Sequence, residues 1–326
     1  MLTSGAKCLH FSLPLHYNIF IKQLMLMESI DNHGTNSIQA ALDGLSKPPC
    51  AMPRRHHAPL LSQDEVREII DLCRSMLFPG YFGPADVNYE NLYFRIGVAL
   101  DELREKLERQ VTAALCYLVD NVTIGELSAL RHKSSIIVDN FIGSLTEIRR
   151  TLMTDVSAIY AGDPAADSEA EIIICYPGVK AIINYRIAHR LLELGVPVIP
   201  RLISEQAHSE TGVDIHPAAS IGHSFMIDHG TGIVIGATAI IGHHCRLYQG
   251  VTLGARSFAK DDSGNIIKGE PRHPILGNNV TIYSSSTILG RITIGDDAVI
   301  GGNLWVTRDV APGERLVQQS AVNNRK

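Results

Sequence analysis

From Leu276 onward an aliphatic side chain returns at every sixth position: Leu276, Ile282, Ile288, Ile294, Ile300 and Val306. The same step runs through Ile215, Ile221, Ile227 and Ile233. It runs again, two residues out of phase, through Ile235, Ile241, Leu247 and Leu253. A period of six matches neither the 3.6 of an α-helix nor the simple alternation of a strand. It fits a parallel β-helix, in which each hexapeptide supplies one side of a triangular coil and its aliphatic residue stacks inward on the coils above and below. Glycine often follows the aliphatic residue, as at Gly222, Gly236, Gly242, Gly277 and Gly295, where a corner has little room for a Cβ. One coil cannot bury its own apolar face, so stability must come from stacked neighbours.

Upstream the pattern is helical. Ser62-Gln63-Asp64-Glu65 reads as a capping box, followed by Val66, Ile69, Ile70, Cys73 and Leu77 on one face. Further apolar stripes predict helices over about Tyr89–Val119 and Ser134–Thr154. Gly162-Asp163-Pro164-Ala165 reads as a turn. Pro177 suits a helix first turn, with Gly195 as its stop, and a last helix spans about Val198–Ser209. The expected organisation is therefore α+β: an extension without regular structure over 1–61, an all-α domain over 62–211, a parallel β-helix over 212–313, and a tail over 314–326. Thr231-Gly232 shifts the phase of the ladder, and Ala255–Ile275 leaves it altogether before returning at Leu276. Long loops in compact domains tend to be functional, and this one ends in Arg272-His273-Pro274.

Twenty-nine basic against 34 acidic residues, with 6% aromatics, give no reason to expect nucleic acid or an anionic membrane as partner. The segment Leu9–Met27 is interrupted by His10, Pro14, His16 and Lys22, so it predicts neither a membrane span nor a signal peptide. Arg54-Arg55-His56-His57 reads as a solvated basic linker. Six scattered cysteines without a C-x-x-C pair predict a reducing, cytoplasmic setting rather than a disulfide framework.

Histidine is concentrated in the ladder: His216, His223, His229, His243, His244 and His273. A stacked coil has no steric need for imidazoles, but it offers them a rigid frame. Asp228-His229 is the informative pair, and Asp214 lies 15 residues earlier, almost one coil away. A carboxylate beside an imidazole fixes its tautomer and stabilises its protonated form, as a general base requires. A zinc hydratase would need three metal-binding histidines, two of them five residues apart. The positions five after His223, His229, His243 and His244 hold no histidine. A scaffold without activity would have no use for acid–histidine pairs.

Gly212-Val213-Asp214-Ile215-His216-Pro217, Ile227-Asp228-His229-Gly230-Thr231-Gly232 and Arg272-His273-Pro274 resemble the serine O-acetyltransferases, a family of hexapeptide-repeat acyltransferases of cysteine biosynthesis. Asp163-Pro164-Ala165 and Tyr185-Arg186-Ile187-Ala188-His189 resemble them too. The resemblance covers about half the chain. It implies a left-handed β-helix, an exception to the usual crossover hand. It also implies a homotrimer or dimer of trimers with active sites between neighbouring coils. Acetyl-CoA would be co-substrate, L-serine the acceptor, and no metal would be required. By the same resemblance His229 is the general base, oriented by Asp214. His273, paired with Asp228, holds the substrate. Arg272 faces the substrate carboxylate, for which a planar guanidinium is suited, and Asp163 meets its ammonium. Gly254, Ala255, Ser284 and Gly302 would contact CoA. The main alternative is an acetyltransferase for a sugar or other small acceptor, which would have less use for Asp163 and Arg272. Family members that dock into cysteine synthase end in isoleucine. Lys326 stands last here, so that complex is expected to be weak or absent.

Overall fold

A computed structural model describes residues 32–47, 59–119 and 122–318. The chain divides into two units, Met1–Arg54 and Arg55–Lys326. In the first, helix α1 (Asn32–Leu45) corrects the expectation of an extension without regular structure. Its centre, Gln39-Ala40-Ala41-Leu42, consists of strong helix formers, and the Gln39 amide donates to Asp43 Oδ1 at 2.9 Å, one turn on. The expectations for 9–27, for Arg54–His57, for Cys8 and Cys50 and for the last residues from 319 lie outside the described residues.

The second unit begins with α2 (Gln63–Leu77), α3 (Leu92–Cys116), α4 (Ile124–Gly162), α5 (Glu169–Cys175), α6 (Pro177–Glu193) and α7 (Ile199–Thr211). The capping box at α2 is half formed. Ser62 Oγ accepts from the Glu65 N–H at 3.2 Å, but the Ser62 N–H donates to Gln110 on α3, and the Glu65 carboxylate accepts from Arg109 and Gln110 instead. A complete box starts α4 at Thr123 and Glu126. That helix is 39 residues long, well beyond the expected Ser134–Thr154, because nothing before Asp163 breaks it. The short α5, capped by Ser168, was not anticipated. Seven residues are too few to display a period.

The β-helix follows at once, after Gly212 closes α7 in the left-handed region at φ 72°. Its three sheets are parallel throughout. Sheet 1 stacks Asp214–Ile215, Val234–Ile235, Thr252–Gly254, Thr287–Leu289 and Trp305–Val306. Sheet 2 stacks Ser220–Ile221, Ile240–Ile241, Ile275–Leu276 and Thr293–Ile294. Sheet 3 stacks Met226–Asp228, Arg246–Tyr248, Thr281–Ile282, Val299–Ile300 and Arg315–Leu316. The prism is a left-handed β-helix of about five turns. Leu316 stacks on Ile300, so the ladder runs past the boundary expected at 313 into the segment read as tail. The inward aliphatics are buried in one continuous core with the helices. Ile215 stacks on Ile235 but Ile235 on Leu253. The first coil therefore carries the two extra residues that the phase shift at Thr231-Gly232 announces.

Tight corners demand positive φ, and here polar residues often supply it in place of glycine. Ser224, His244, Asn279 and Asp297 turn the chain from sheet 2 to sheet 3, and His229, Ser285 and Asn303 turn it from sheet 3 to sheet 1, all at φ between 56° and 59° except His229 at 55°. Asn, Asp and His are the non-glycine residues that tolerate this region best. The sheet 1 to sheet 2 corner is where the excursion is inserted, over 255–274, since Ile275 already pairs in sheet 2.

An open prism end would leave three unpaired strand edges, and side chains of the helices pair them here. Ser204 of α7 donates to Ile215 O at 3.0 Å. Tyr185 of α6 donates to Ala219 O and accepts from the Ile221 N–H. Arg186 donates to Gly222 O and makes a two-pronged ion pair with Asp155 of α4, at 2.6 and 2.8 Å. Asp155 Oδ1 in turn accepts from the Phe225 N–H at 2.8 Å. Asp155 is 1% exposed. Removing its carboxylate strands a buried guanidinium and a backbone donor. Asp155→Ala should therefore lower unfolding free energy in urea by about 3–5 kcal/mol, and Asp155→Asn by less. Unchanged stability of the alanine variant would refute this account of how the helices hold the prism.

Candidate active site

The functional candidates gather at two corners of the prism. At the sheet 3 to sheet 1 corner, the positive φ of His229 turns its imidazole outward, with 72% of the side chain exposed. Its Nε2 lies 3.9 Å from Asp228 Oδ1. Asp228 ends the first rung of sheet 3 and is mostly covered, its side chain 17% exposed. The end of α4 brings up Asp163, whose Oδ2 accepts from the Tyr176 hydroxyl at 2.6 Å and whose Oδ1 accepts from the Ala165 N–H at 2.8 Å. The Tyr176 O–H, then that N–H, hold the Asp163 carboxyl below the usual carboxylate range, and the His229 imidazole is near enough to contribute. The same bond pushes the Tyr176 phenol up to about 12. This corner thus offers an imidazole and two carboxylates, a setting for a cationic group beside a proton acceptor.

Arg272 and His273 stand at a different corner, between sheets 1 and 2. His273 is buried. Its Nδ1 accepts from the Thr238 N–H at 3.1 Å and from the Thr238 hydroxyl at 2.8 Å, which leaves the ring proton on Nε2. The Thr238 oxygen accepts from the backbone N–H groups of Arg272 and His273. Arg291 donates to Thr238 O and His273 O. A Cβ at Gly236 would lie 2.0 Å from the imidazole, so only glycine leaves room for the ring. The Arg272 guanidinium lies over Phe258 at 5.9 Å, and its Nε is buried without a partner among the described residues. Beside it, a cavity of about 360 Å³ is lined by Arg256, Phe258, Glu270, Arg272 and Arg291.

Two expected pairings are absent within one chain, among the described residues. His273 bonds Thr238 rather than Asp228, because positions 228 and 273 occupy different corners of the triangle. Asp214 makes no hydrogen bond or ion pair with His229. The lengthened first coil sets Asp214 in register with Val234, and its charge acts on His216. The residues expected to meet a carrier divide the same way. Gly254 and Ala255 lie at the sheet 1 to sheet 2 corner, where Gly290 N–H donates to Gly254 O. Ser284 and Gly302 lie at the other corner, where the Asn303 N–H donates to Ser284 O. Tyr176 and Thr238 were not singled out in the sequence. Nothing in a 13-residue spacing to Asp163, or a 35-residue spacing to His273, reveals them.

His223 and His243 belong to the packing of the coils. They stack at 4.0 Å on the third corner. There the His223 N–H donates to His243 Nδ1, the His243 N–H to Asn278 Oδ1, and the Asn278 N–H to Asp296 Oδ1, coil after coil. No group of three metal-binding side chains occurs among the described residues, and no helix there is long and apolar enough to cross a membrane.

Burial, then the charges of Arg272 and His216, push the His273 pKa down to about 4. An imidazole depressed in the fold favours the folded state fully above its ordinary value near 6.5, and that contribution is lost as pH falls from there toward 4. A nitrogen-15 NMR titration should show His273 as the neutral Nε2–H tautomer through pH 6. Protonation near pH 6.5 would refute the burial and the Thr238 contact together.

Residues 273–308 match the family model described as bacterial transferase hexapeptide (six repeats). The plasmid serine acetyltransferase of Synechococcus elongatus is 45% identical over 295 residues, 87% of this chain and 91% of that one. A second serine acetyltransferase of the same organism is 45% identical over 161 residues, 49% of this chain and 62% of that one. Among solved structures, isoform 3 of the serine acetyltransferase of Entamoeba histolytica, in complex with cysteine, superposes with a TM-score of 0.66 at 31% identity, covering 88% of this chain and 93% of the other.

Proposed function

This chain belongs to the serine acetyltransferase family, and on that premise we propose that it moves the acetyl group of acetyl-CoA onto the hydroxyl of L-serine with His229 as general base. The products are O-acetyl-L-serine and CoA, an entry into cysteine biosynthesis. A serine hydroxyl is a weak nucleophile at neutral pH. His229 takes its proton as the oxygen attacks the thioester carbonyl. A tetrahedral intermediate forms, the carbon–sulfur bond breaks, and the same imidazole returns the proton to the departing CoA sulfur. The thioester is already activated, so direct attack suffices.

The observation that carries this assignment is the corner holding Asp163, Tyr176, Asp228 and an outward His229. Asp163, kept anionic by the Tyr176 hydroxyl, supports a role in receiving the serine ammonium. Asp228 beside the ring supports a role in stabilising its protonated form. Arg272 supplies a planar fork for the serine carboxylate, and His273 offers a neutral Nε2–H donor for the same ligand. These two belong to another corner, so the site is complete only when a second copy brings its sheet 1 to sheet 2 corner against the His229 corner of the first. A closed ring of three prisms satisfies that requirement at every interface. Asp214, on the outer face of sheet 1 beside the His229 corner, would act once that crevice is closed. Ser284 and Gly302 on one side, with Gly254 and Ala255 on the other, would then line the path of CoA. The scattered cysteines are consistent with a reducing, cytoplasmic setting.

His229→Ala should lower kcat by about 10²–10⁴-fold while leaving the circular dichroism spectrum intact, since the side chain is exposed. A variant that kept its turnover would overturn the base assignment. Co-assembly of His229→Ala with His273→Ala chains should restore up to about a quarter of wild-type activity through interfaces that happen to be intact. A mixture as inactive as its parents would place both residues in one subunit's site.

A further inference from the structure

The loop over 255–274 returns to the prism against the side chain of Thr238, at the sheet 1 to sheet 2 corner of the second coil. The Thr238 hydroxyl oxygen accepts from the backbone N–H groups of Arg272 at 2.9 Å and His273 at 3.1 Å. Those two donors occupy its lone pairs, so the hydroxyl proton is left to point at His273 Nδ1, 2.8 Å away. The Thr238 N–H approaches the same nitrogen at 3.1 Å. With two protons directed at it, Nδ1 has a use for a lone pair and no room for a hydrogen. The imidazole is thereby fixed as the Nε2–H tautomer, a donor at its free end. Nε2 itself makes no hydrogen bond among the described residues.

The corner closes without such a hydroxyl elsewhere. Ala218 lies three residues beyond Ile215, as Thr238 lies three beyond Ile235, and those two isoleucines are in register. In that first coil the Ala218 N–H donates to His216 Nδ1 at 3.0 Å, and the chain enters sheet 2 in the same register. Thr238 adds what Ala218 lacks: it ties a residue 35 positions further on to one ring orientation and one tautomer. Two neighbours complete the setting. Gly236 leaves the space that the ring fills, and the Arg291 guanidinium holds Thr238 O and His273 O together at 2.6 and 3.0 Å.

An imidazole set against a carboxylate attracts it only by presenting a hydrogen. In the other neutral tautomer Nε2 would turn a lone pair toward the anion and leave it without that donor. We propose that Thr238 is a positioning residue, which holds His273 as an Nε2–H donor toward the serine carboxylate and so sets the affinity for the acceptor, not the chemistry at its hydroxyl. This rests on the serine assignment above and adds to it a residue that acts through His273.

Thr238→Val keeps the shape and removes the hydroxyl, Thr238→Ser keeps the hydroxyl, and Thr238→Ala installs the residue that the first coil already carries at this corner. In steady-state turnover of the full chain, the valine and alanine variants should raise KM for L-serine about ten- to a hundredfold, the range for a hydrogen bond to a charged group. Their kcat at saturation and KM for acetyl-CoA should be retained, the pattern of lost acceptor binding, and Thr238→Ser should behave as wild type. Placed on His273→Ala, Thr238→Val should add little further loss, because the ring through which it acts is gone. Nitrogen-15 NMR of His273 reads the tautomer apart from turnover: Nε2–H alone in wild type and Thr238→Ser, with Nδ1–H appearing in Thr238→Val and Thr238→Ala. An unchanged serine KM in both variants that lack the hydroxyl, a serine variant as impaired as they are, or additive losses in the double variant would overturn the role. A wild-type chain that fails to acetylate serine, while the tautomer still follows the hydroxyl, would instead sink the acceptor assignment and leave the hold on His273 standing.

Discussion

The first coil of the prism depends on polar groups that the coil itself cannot provide. Stacked coils satisfy one another's N–H and C=O groups, but the outermost one presents bare edges on all three sheets. Arg186 and Asp155, with Tyr185 and Ser204, satisfy groups on those edges by offering side-chain donors and acceptors. The arrangement is buried and ionic. Its fully partnered geometry is what makes it favourable, because a lone buried charge would be severely destabilising. The helical part is therefore a cap for the β-helix, and the two share one core.

That cap also reaches the candidate site. Asp163 lies at the end of α4, only eight residues beyond Asp155, and the same helix that pairs the prism edge carries this carboxylate to the His229 corner. α6, which supplies Tyr185 and Arg186, begins one residue after Tyr176, the partner of Asp163. Anchoring and positioning are thus done by the same two helices. A site assembled from a helix end and a prism corner inherits the rigidity of both, which is what a preorganised polar constellation requires.

Architecture was largely legible in the sequence. Period six, the phase shift at Thr231-Gly232 and the excursion at Ala255–Ile275 each correspond to a feature of the coils. The helix stripes are legible too, although α4 extends further than its apolar pattern, α5 is too short to show a period, and residues 37–45 of α1 are all exposed. Side-chain pairing was less legible. Asp214 and His229 are 15 residues apart, near one turn of an ideal coil, but the actual first coil is two residues longer and shifts the register. The pairing of Asp228 with His273 is implied by the family resemblance and by no spacing in the sequence. In one chain they occupy separate corners. Sequence spacing measures position along the prism axis well and position around it poorly, and nothing in it reveals what a second copy brings.

His229 occupies a backbone region that an L-residue enters only at a cost of about 1 kcal/mol or more, and its side chain makes few contacts in return. A glycine there would relax the corner. The same left-handed turn recurs at Ser285 and Asn303 on the coils beyond, so the backbone cost belongs to the corner, and at this one level the corner presents an imidazole to solvent.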